Sequence, residues 1–543
     1  MTTYRDPVRP AVEPDTARQL DGLAALAALA QPGMTVVRAA PAPTREIAPR
    51  RQPTREIAPR RQPTREIAPR RQPTREIAPR RQPTREIAPR GQPTREIAPR
   101  RQPTREIAPR QQERRRRQHR RMTAFFGAMI VLLLAAAAVL SVTWPPARYL
   151  ISVAWMMPIV ELTLLGIGQL HYRLRGRVAP GKYHHLIIQI TTTGREHGRV
   201  SEIIRQIRGY HLTMAHQIWV VLEPGHNTQY PDADRVVVVP RDFTSQGAAK
   251  ARALEWSRLV RHTMGLERGD VKILFCDDDV SLTRQYIERA FIADYDICEG
   301  VVTPRTAYAI RPFWHFAVSH ADDIRTHACL VYCSVFQGIL NRPLHVHGEG
   351  LTVTGEAEGL LTWDMPLVAS EDLAFGQRAA ARRHGFRWGW FHEYAEVTSP
   401  WTFHDYLQQR SRWLWGDIHA VLHRDVMPLG AAARVSIKYV AGALGLICSV
   451  AGLYLRLSGR IPADAAILNY AKLSILAWIA VIFACGWVGA GSATSARNDE
   501  SRLLAGVTAV LMMPISVLLT FTAIVLPLLG GNPGVFITIR KTR

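Results

Sequence analysis

Between residues 180 and 425, short apolar runs alternate with longer segments in which apolar positions recur at helical spacing. HLIIQI (185–190), QIWVVL (217–222), RVVVVP (235–240) and VKILF (271–275) are too short for stable helices and rich in β-branched residues, which predicts strands. SEIIRQIRGY (201–210) and AAKARALEWSRLV (248–260) repeat their apolar residues every three or four positions, which predicts amphipathic helices. Alternating strands and helices predict an α/β domain over 180–425, with a mostly parallel sheet flanked by helices. Ligands of such domains bind beyond the carboxyl ends of the strands.

Outside this domain the pattern changes to long apolar runs of about the ~20 residues that cross a bilayer. Two precede it within 122–172, at 122–144 and 147–172, separated by Pro145-Pro146. Three follow within 435–531, at about 435–457, 471–491 and 503–531. The last has Met512-Met513-Pro514 at its middle, so it reads either as one kinked span or as two shorter passes, giving three or four C-terminal spans before a basic tail, 532–543. The basic cluster RRRRQHRR ahead of the first run predicts a cytosolic amino terminus, and two crossings return the α/β domain to the cytosol of a multi-pass protein of the cell membrane. Glu161, inside the second run, is costly in lipid unless it meets a protein partner.

Residues 1–121 are of a third kind. Seven copies of a PTREIAPRRQ-like decapeptide fill 43–112; two prolines per unit forbid a continuous helix and one isoleucine per unit cannot build a core, so a disordered basic region is expected. Most of the chain's formal charge of +24 lies here, and the remainder is only mildly basic. The array suits anionic lipid headgroups or serves as an expanded linker. No aromatic residues interleave with its arginines as base stacking requires, so nucleic acid is not the expected partner. The first apolar stretch, LAALAALA at 23–30, is short and lacks a basic leader, so no cleavable signal is expected. The six cysteines fall at no zinc-like spacing and are expected to be free thiols.

Three segments carry chemistry. VKILFCDDDV (271–280) ends an apolar strand in Asp277, Asp278 and Asp279, hard oxygen donors suited to Mg²⁺ or Mn²⁺ and to charge neutralisation on a departing diphosphate. ASEDLAFGQRAA (369–380) opens a helical pattern with Glu371 and Asp372, which suit a general base or, more blandly, the helix dipole. SPWTFHDYLQQRSRWLWG (399–416) combines Gln409, Arg410, Arg412 and Trp413, groups that pair with a diphosphate and stack on a sugar or, equally, anchor an interfacial helix. His345 and His347 share one strand face without an evident third ligand, which favours a structural or acceptor-lining role.

Strand-end acids, then an acidic pair, then QQRSRW before apolar helices is an order that resembles the membrane-bound family 2 glycosyltransferases, the group of cellulose, chitin and hyaluronan synthases. RVVVVPRDFTSQGAAKARALEWS (235–257), ADDIR (321–325), RPLHVHGEGLTVTGEAE (342–358), SEDLAF and SPWTFHDYLQQRSRWLWG together resemble the Egghead-type β-1,4-mannosyltransferases. The resemblance implies a GT-A fold, a nucleotide-diphospho-sugar transferase domain between transmembrane helices. It implies donor binding at Thr191, Thr193, Glu223, Lys250, Asp277 and Asp278, with metal at Asp277 and Asp279. Asp372 would be the base beside Glu371, and Gln409, Arg410, Arg412 and Trp413 would close over diphosphate and acceptor. Two departures stand out. Glu223 occupies a place where many relatives carry aspartate, and the DDDV run leaves open whether Asp278 or Asp279 partners Asp277.

The activity these readings imply is inverting transfer of a hexose from GDP-mannose or a UDP-sugar to a lipid-linked or membrane-proximal glycan, with β-mannosyl transfer favoured by the resemblance. A processive polysaccharide synthase and a non-catalytic membrane scaffold are the alternatives.

Overall fold

The computed structural model describes residues 156–175, 181, 183–226, 228–304, 313–367, 369–382, 385–459, 466–490 and 499–530. The decapeptide array, the first apolar run and the basic tail lie outside these residues.

The catalytic-size domain is built on an eight-stranded sheet. Its strands are β1 (His185–Thr192), β2 (His216–Leu222), β3 (Arg235–Val238), β4 (Val271–Asp277), β5 (Val280–Leu282), β6 (Ile297–Pro304), β7 (Thr352–Thr354) and β8 (Trp388–Val397). Their order across the sheet is β3-β2-β1-β4-β7-β6-β8-β5. The half from β3 to β4 is parallel, as the strand–helix alternation predicts. Beyond β4 the sheet is mixed: three-residue β7 runs antiparallel to both β4 and β6, and β5 antiparallel to β8. β6 and β8 pair in parallel, so the sheet is mostly parallel as expected, with short β5 and β7 entering antiparallel; strands of three residues carry no periodicity to read.

The apolar runs are continuous because helices cover both faces. In β1 and β2, Leu186, Ile188, Ile190, Ile218, Val220 and Leu222 face one core with Val200, Ile203, Ile204 and Ile207 of α2 (His197–Gly209). Ile187, Trp219 and Val221 face the other with Ala253 and Leu254 of α3 (Lys250–Thr263). Fully buried Arg261 of α3 forms an ion pair with fully buried Glu358 and donates to Gln189, a polar side chain that β1 turns to this face.

Five further helices frame the domain. α1 (Met157–Leu174) precedes β1; α4 (Phe313–Asp322) follows β6; α5 (Glu371–Ala381) follows β7; α6 (Phe403–Leu422) follows β8; α7 (Leu429–Leu457) comes next. Then come α8 (Ala466–Ala490) and α9 (Asp499–Gly530). α8 and α9 are long and apolar enough to cross a membrane, over Lys472–Gly489 and Arg502–Leu528. Pro514 and Pro527 both lie inside α9, so the last apolar run forms one continuous helix. Leu476, Leu511 and Leu518 are each more than 60% exposed on these two helices, as lipid-facing residues would be. The inner side of α9 packs Met512, Leu519 and Ala523 against Ala317, Val318 and Ala321 of α4 and Tyr406 of α6. Trp415 of α6 donates to the carbonyl of Pro527 at 3.2 Å. Glu161 on α1 accepts from the Tyr332 hydroxyl at 2.5 Å and lies 3.3 Å from His327 Nε2, which supplies the protein partner its position requires.

Candidate active site

The parallel register sets β1, β2 and β4 to end together: Thr191 pairs with Val221 on one side and Asp277 on the other. Asp277 therefore emerges where ligands of open α/β sheets are held. The next two acids diverge. Asp278 Oδ2 accepts from Thr192 Oγ1 at 2.8 Å, whereas Asp279 is buried with its carbonyl held by Arg199 at 3.0 Å.

Two strained residues aim the other charged groups. Ala249 (φ +49°) immediately precedes Lys250, and Ser370 (φ +62°) immediately precedes Glu371. Such backbone costs on the order of 1–3 kcal/mol at each non-glycine position and persists only where surrounding contacts enforce it. At Ser370 the enforcing neighbour is α6: a Cβ on Gly416 would come within 2.6 Å of Ser370 Oγ, so only glycine lets the two segments approach.

The result is one cluster. Lys250 Nζ lies 2.7 Å from Asp277 Oδ1 and 3.7 Å from Glu371 Oε1. A Cβ on Gly348 would lie 2.7 Å from both Asp372 Oδ2 and Lys250 Nζ, so Gly348 floors the space between base and lysine. Burial opposes the charge on Lys250, but Asp277, Glu371, Asp372 and Glu349 outweigh it and raise its pKa. Asp372 moves the other way for an acid. Burial first, and then the charges of Glu371 and Glu349, push its carboxyl up to about 8 against the opposing pull of Lys250 and the Leu373 N–H.

Arg412 of α6 feels the charges of Glu371, Asp277, Glu349 and Asp279, though its burial lowers its pKa. Arg410 is committed elsewhere: it pairs with fully buried Asp322 at the end of α4. Asp322 also holds Arg325 Nε at 3.2 Å, and Arg325 reaches Glu349 at 2.9 Å. Both guanidiniums lie over the Trp413 ring, Arg325 at 4.6 Å and Arg410 at 4.5 Å from its centroid, so that ring is engaged in cation–π contacts. Gln409 is buried in the same helix.

Of the residues singled out in the sequence, the fold brings Lys250, Asp277, Asp279, Glu371, Asp372 and Arg412 together. Glu223 sits at the end of β2 in a 2.8 Å pair with Arg252, and Thr191 Oγ1 accepts from Gln189. Thr193 lies in the turn after β1 with no contact that defines a role. Thr192, Asp322, Arg325 and Gly348 join the site without a role assigned from the sequence, although ADDIR contains Asp322 and Arg325 and RPLHVHGEG contains Gly348. His347 meets two thiols, Cys329 and Cys333.

The donor set fits a divalent cation. Even without Asp278, and with Asp372 protonated, four carboxylates (Asp277, Asp279, Glu349, Glu371) face three cations (Lys250, Arg325, Arg412), a shortfall of one charge that grows to two when Asp372 ionises.

Comparison with known proteins follows the same line. A sequence model described as glycosyl transferase family group 2 matches residues 272–493, which begin in β4 and end after α8. Residues 272–493 are thus similar to the family 2 glycosyltransferase domain. It is 26% identical over 220 residues to the β-1,4-mannosyltransferase egh of Drosophila melanogaster, a match spanning 39% of this chain and 46% of that relative. Among solved structures, the mannosyltransferase PcManGT from Pyrobaculum calidifontis, in complex with GDP-Man and Mn²⁺, aligns over 70% of this chain and 97% of its own. That alignment has 16% identity and a TM-score of 0.36.

Proposed function

We propose that the protein is a membrane-embedded inverting glycosyltransferase of GT-A fold that transfers a hexose, with mannose from GDP-mannose the first candidate, to a lipid-linked or membrane-proximal glycan. The observation that carries this reading is the convergence of Lys250, Asp277, Glu371, Asp372 and Arg412 at the carboxyl ends of β1 and β4.

Asp277 and Asp279 would hold Mg²⁺ or Mn²⁺, which when bound supplies charge neutralisation to the departing diphosphate. Arg412 adds a fixed positive charge on the side of α6. Asp372 Oδ2 takes the proton of the attacking acceptor hydroxyl, and a carboxyl raised to about 8 is a far stronger base than an ordinary one. Direct displacement at the anomeric carbon then inverts its configuration. Lys250 keeps the acids assembled before donor arrives, and Gly348 leaves the opening through which the acceptor hydroxyl approaches. Arg410 and Asp322 brace Trp413 and so hold α6 over the site; their roles are to position. The packing of α6 on α9 supports an acceptor drawn from the membrane.

The test is to incubate detergent-purified protein and a membrane lipid extract with GDP-mannose, UDP-glucose or UDP-N-acetylglucosamine and to characterise the product. A single sugar in inverted configuration from one donor supports the reading. A long polymer would favour a processive synthase, and no product from any donor would favour a scaffold.

A further inference from the structure

Cys329, Cys333 and His347 meet in the interior beside β6, where the Val302 N–H reaches Cys329, and no step of the proposed transfer uses them. A six-residue π-helix, Ala328–Cys333, carries both thiols. π-Helical turns are rare and concentrate at functional positions because they widen the turn and re-aim its side chains. Here the widened turn directs Cys329 and Cys333 at one acceptor: His347 Nε2 lies 3.2 Å from Cys329 Sγ and 3.9 Å from Cys333 Sγ. The three potential donor atoms all lie within 4.8 Å of one another. All three residues are less than 5% exposed.

The geometry points to a buried site for a thiophilic divalent cation, Zn²⁺ in the first instance, held by Cys329, Cys333 and His347. Tetrahedral zinc with Zn–S of ~2.3 Å and Zn–N of ~2.0 Å separates sulfur from nitrogen by roughly 3.6 Å. The two sulfur–nitrogen distances here bracket that value, so an ion fits between the donors with shifts of a few tenths of an ångström. A place for a fourth donor is adjacent. The Glu299 carboxylate is hydrogen-bonded to the Cys333 thiol and accepts from the His347 backbone N–H at 2.9 Å and from Gln337 at 2.6 Å. The Val302 N–H points at Cys329 Sγ from 3.3 Å, the kind of outer-shell donor that stabilises a metal thiolate.

Charge favours the same assignment. Two thiolates neutralise one divalent ion, so binding releases two protons from the Cys329–Cys333–His347 cluster to solvent and leaves no net charge buried among these residues and the metal. The soft donors also separate this site from the all-oxygen pair at Asp277 and Asp279, which suits harder ions. Structurally the ion would tie the π-helix to the HVHGEG segment, whose next residues, Gly348 and Glu349, form part of the active site. The inference does not depend on the transfer reaction.

The experiment is metal analysis of the full chain, expressed in zinc-supplemented medium, purified through a tag free of histidine and cysteine, and washed with EDTA. One zinc per chain is expected to survive the wash and to be released by a mercurial. It should fall at least about tenfold in Cys329→Ser, Cys333→Ser and His347→Gln and persist in Asp277→Asn. Cobalt substitution of the unmutated chain covers the case in which those variants do not fold, because sulfur-to-cobalt charge-transfer absorption in the near ultraviolet reports thiolate ligation directly. Absence of zinc, zinc retained in a folded Cys329→Ser/Cys333→Ser double variant, a Cys329–Cys333 disulfide, or cobalt bound without thiolate absorption would each overturn the proposal.

Discussion

Gly348→Ala isolates the active-site geometry from the fold. The added methyl carbon would stand 2.7 Å from Asp372 Oδ2, 2.7 Å from Lys250 Nζ and 3.4 Å from Asp372 Cγ. Ordinary contact begins near 3.4 Å, so base and lysine must each retreat by about 0.7 Å. Asp372 has little slack, since the Leu373 N–H holds its other oxygen at 2.8 Å. A misplacement of ~1 Å at a reacting group costs roughly 100-fold in rate, so kcat should fall between about 10-fold and 100-fold. Gly348 does not adopt a positive φ, so alanine strains no backbone there and the melting temperature should change by no more than a few degrees. Nucleotide release under saturating donor, beside a thermal melt, reads both quantities. A variant with unchanged kcat would refute the placement of Gly348 between base and lysine, and a rate loss matched by global destabilisation would refute the argument from local displacement.

Four other outcomes follow from the same contacts. Asp372 is charged only above its raised midpoint, so kcat/KM should climb with pH along a limb centred between the ordinary carboxylate range and about 8. Its midpoint should drop as Mn²⁺ is raised, because added positive charge favours the carboxylate; a limb centred near 4 would contradict the assignment. Arg261→Met strands the fully buried Glu358 and should cost roughly 3–5 kcal/mol, a fall in melting temperature on the order of 10 °C; a melt within 2 °C of wild type, by about this arithmetic, would show that the pair contributes little. Asp322→Asn releases Arg410 and Arg325 together and should lower kcat/KM for donor about tenfold or more while a Gln408→Ala control on the exposed side of α6 does not; equal effects would deny Asp322 a positioning role. EDTA should abolish turnover and Mn²⁺ restore it, and activity surviving exhaustive chelation would remove the metal from Asp277 and Asp279.

How much was legible in the sequence follows from where each signal resides. β1 to β4 announce themselves because helices cover both faces and leave unbroken apolar runs. β6 did not, because Glu299 and Gly300 interrupt its centre although every one of its residues is buried. In β8, His392 and Glu393 break the aromatic alternation, and three-residue β5 and β7 are too short for any period. The acids of the site were readable since a strand end and a helix start are local features. Arg325, Asp322 and Gly348 were not, because each acquires its role only when chain segments far apart in sequence converge. Arg410 and Trp413, read from the sequence as groups that engage a diphosphate and a sugar face, are in contact with Asp322 and with two guanidiniums respectively, which is the basis for the bracing role proposed above. The same limit applies to the thiol–imidazole cluster: Cys329 and Cys333 find a third donor 14 residues beyond Cys333, and only the fold brings it there.

The central claim is that this cluster of acids transfers a sugar with Asp372 as base. Its most direct test is nucleotide release from GDP-mannose by the purified chain, with Mn²⁺, with EDTA, and with Asp372→Asn at matched stability. Metal-dependent release that falls at least about 100-fold in the variant is the predicted result. Release that Asp372→Asn leaves intact would contradict the assignment of the base, and the absence of release from GDP-mannose and from UDP-sugars alike would contradict the transferase itself.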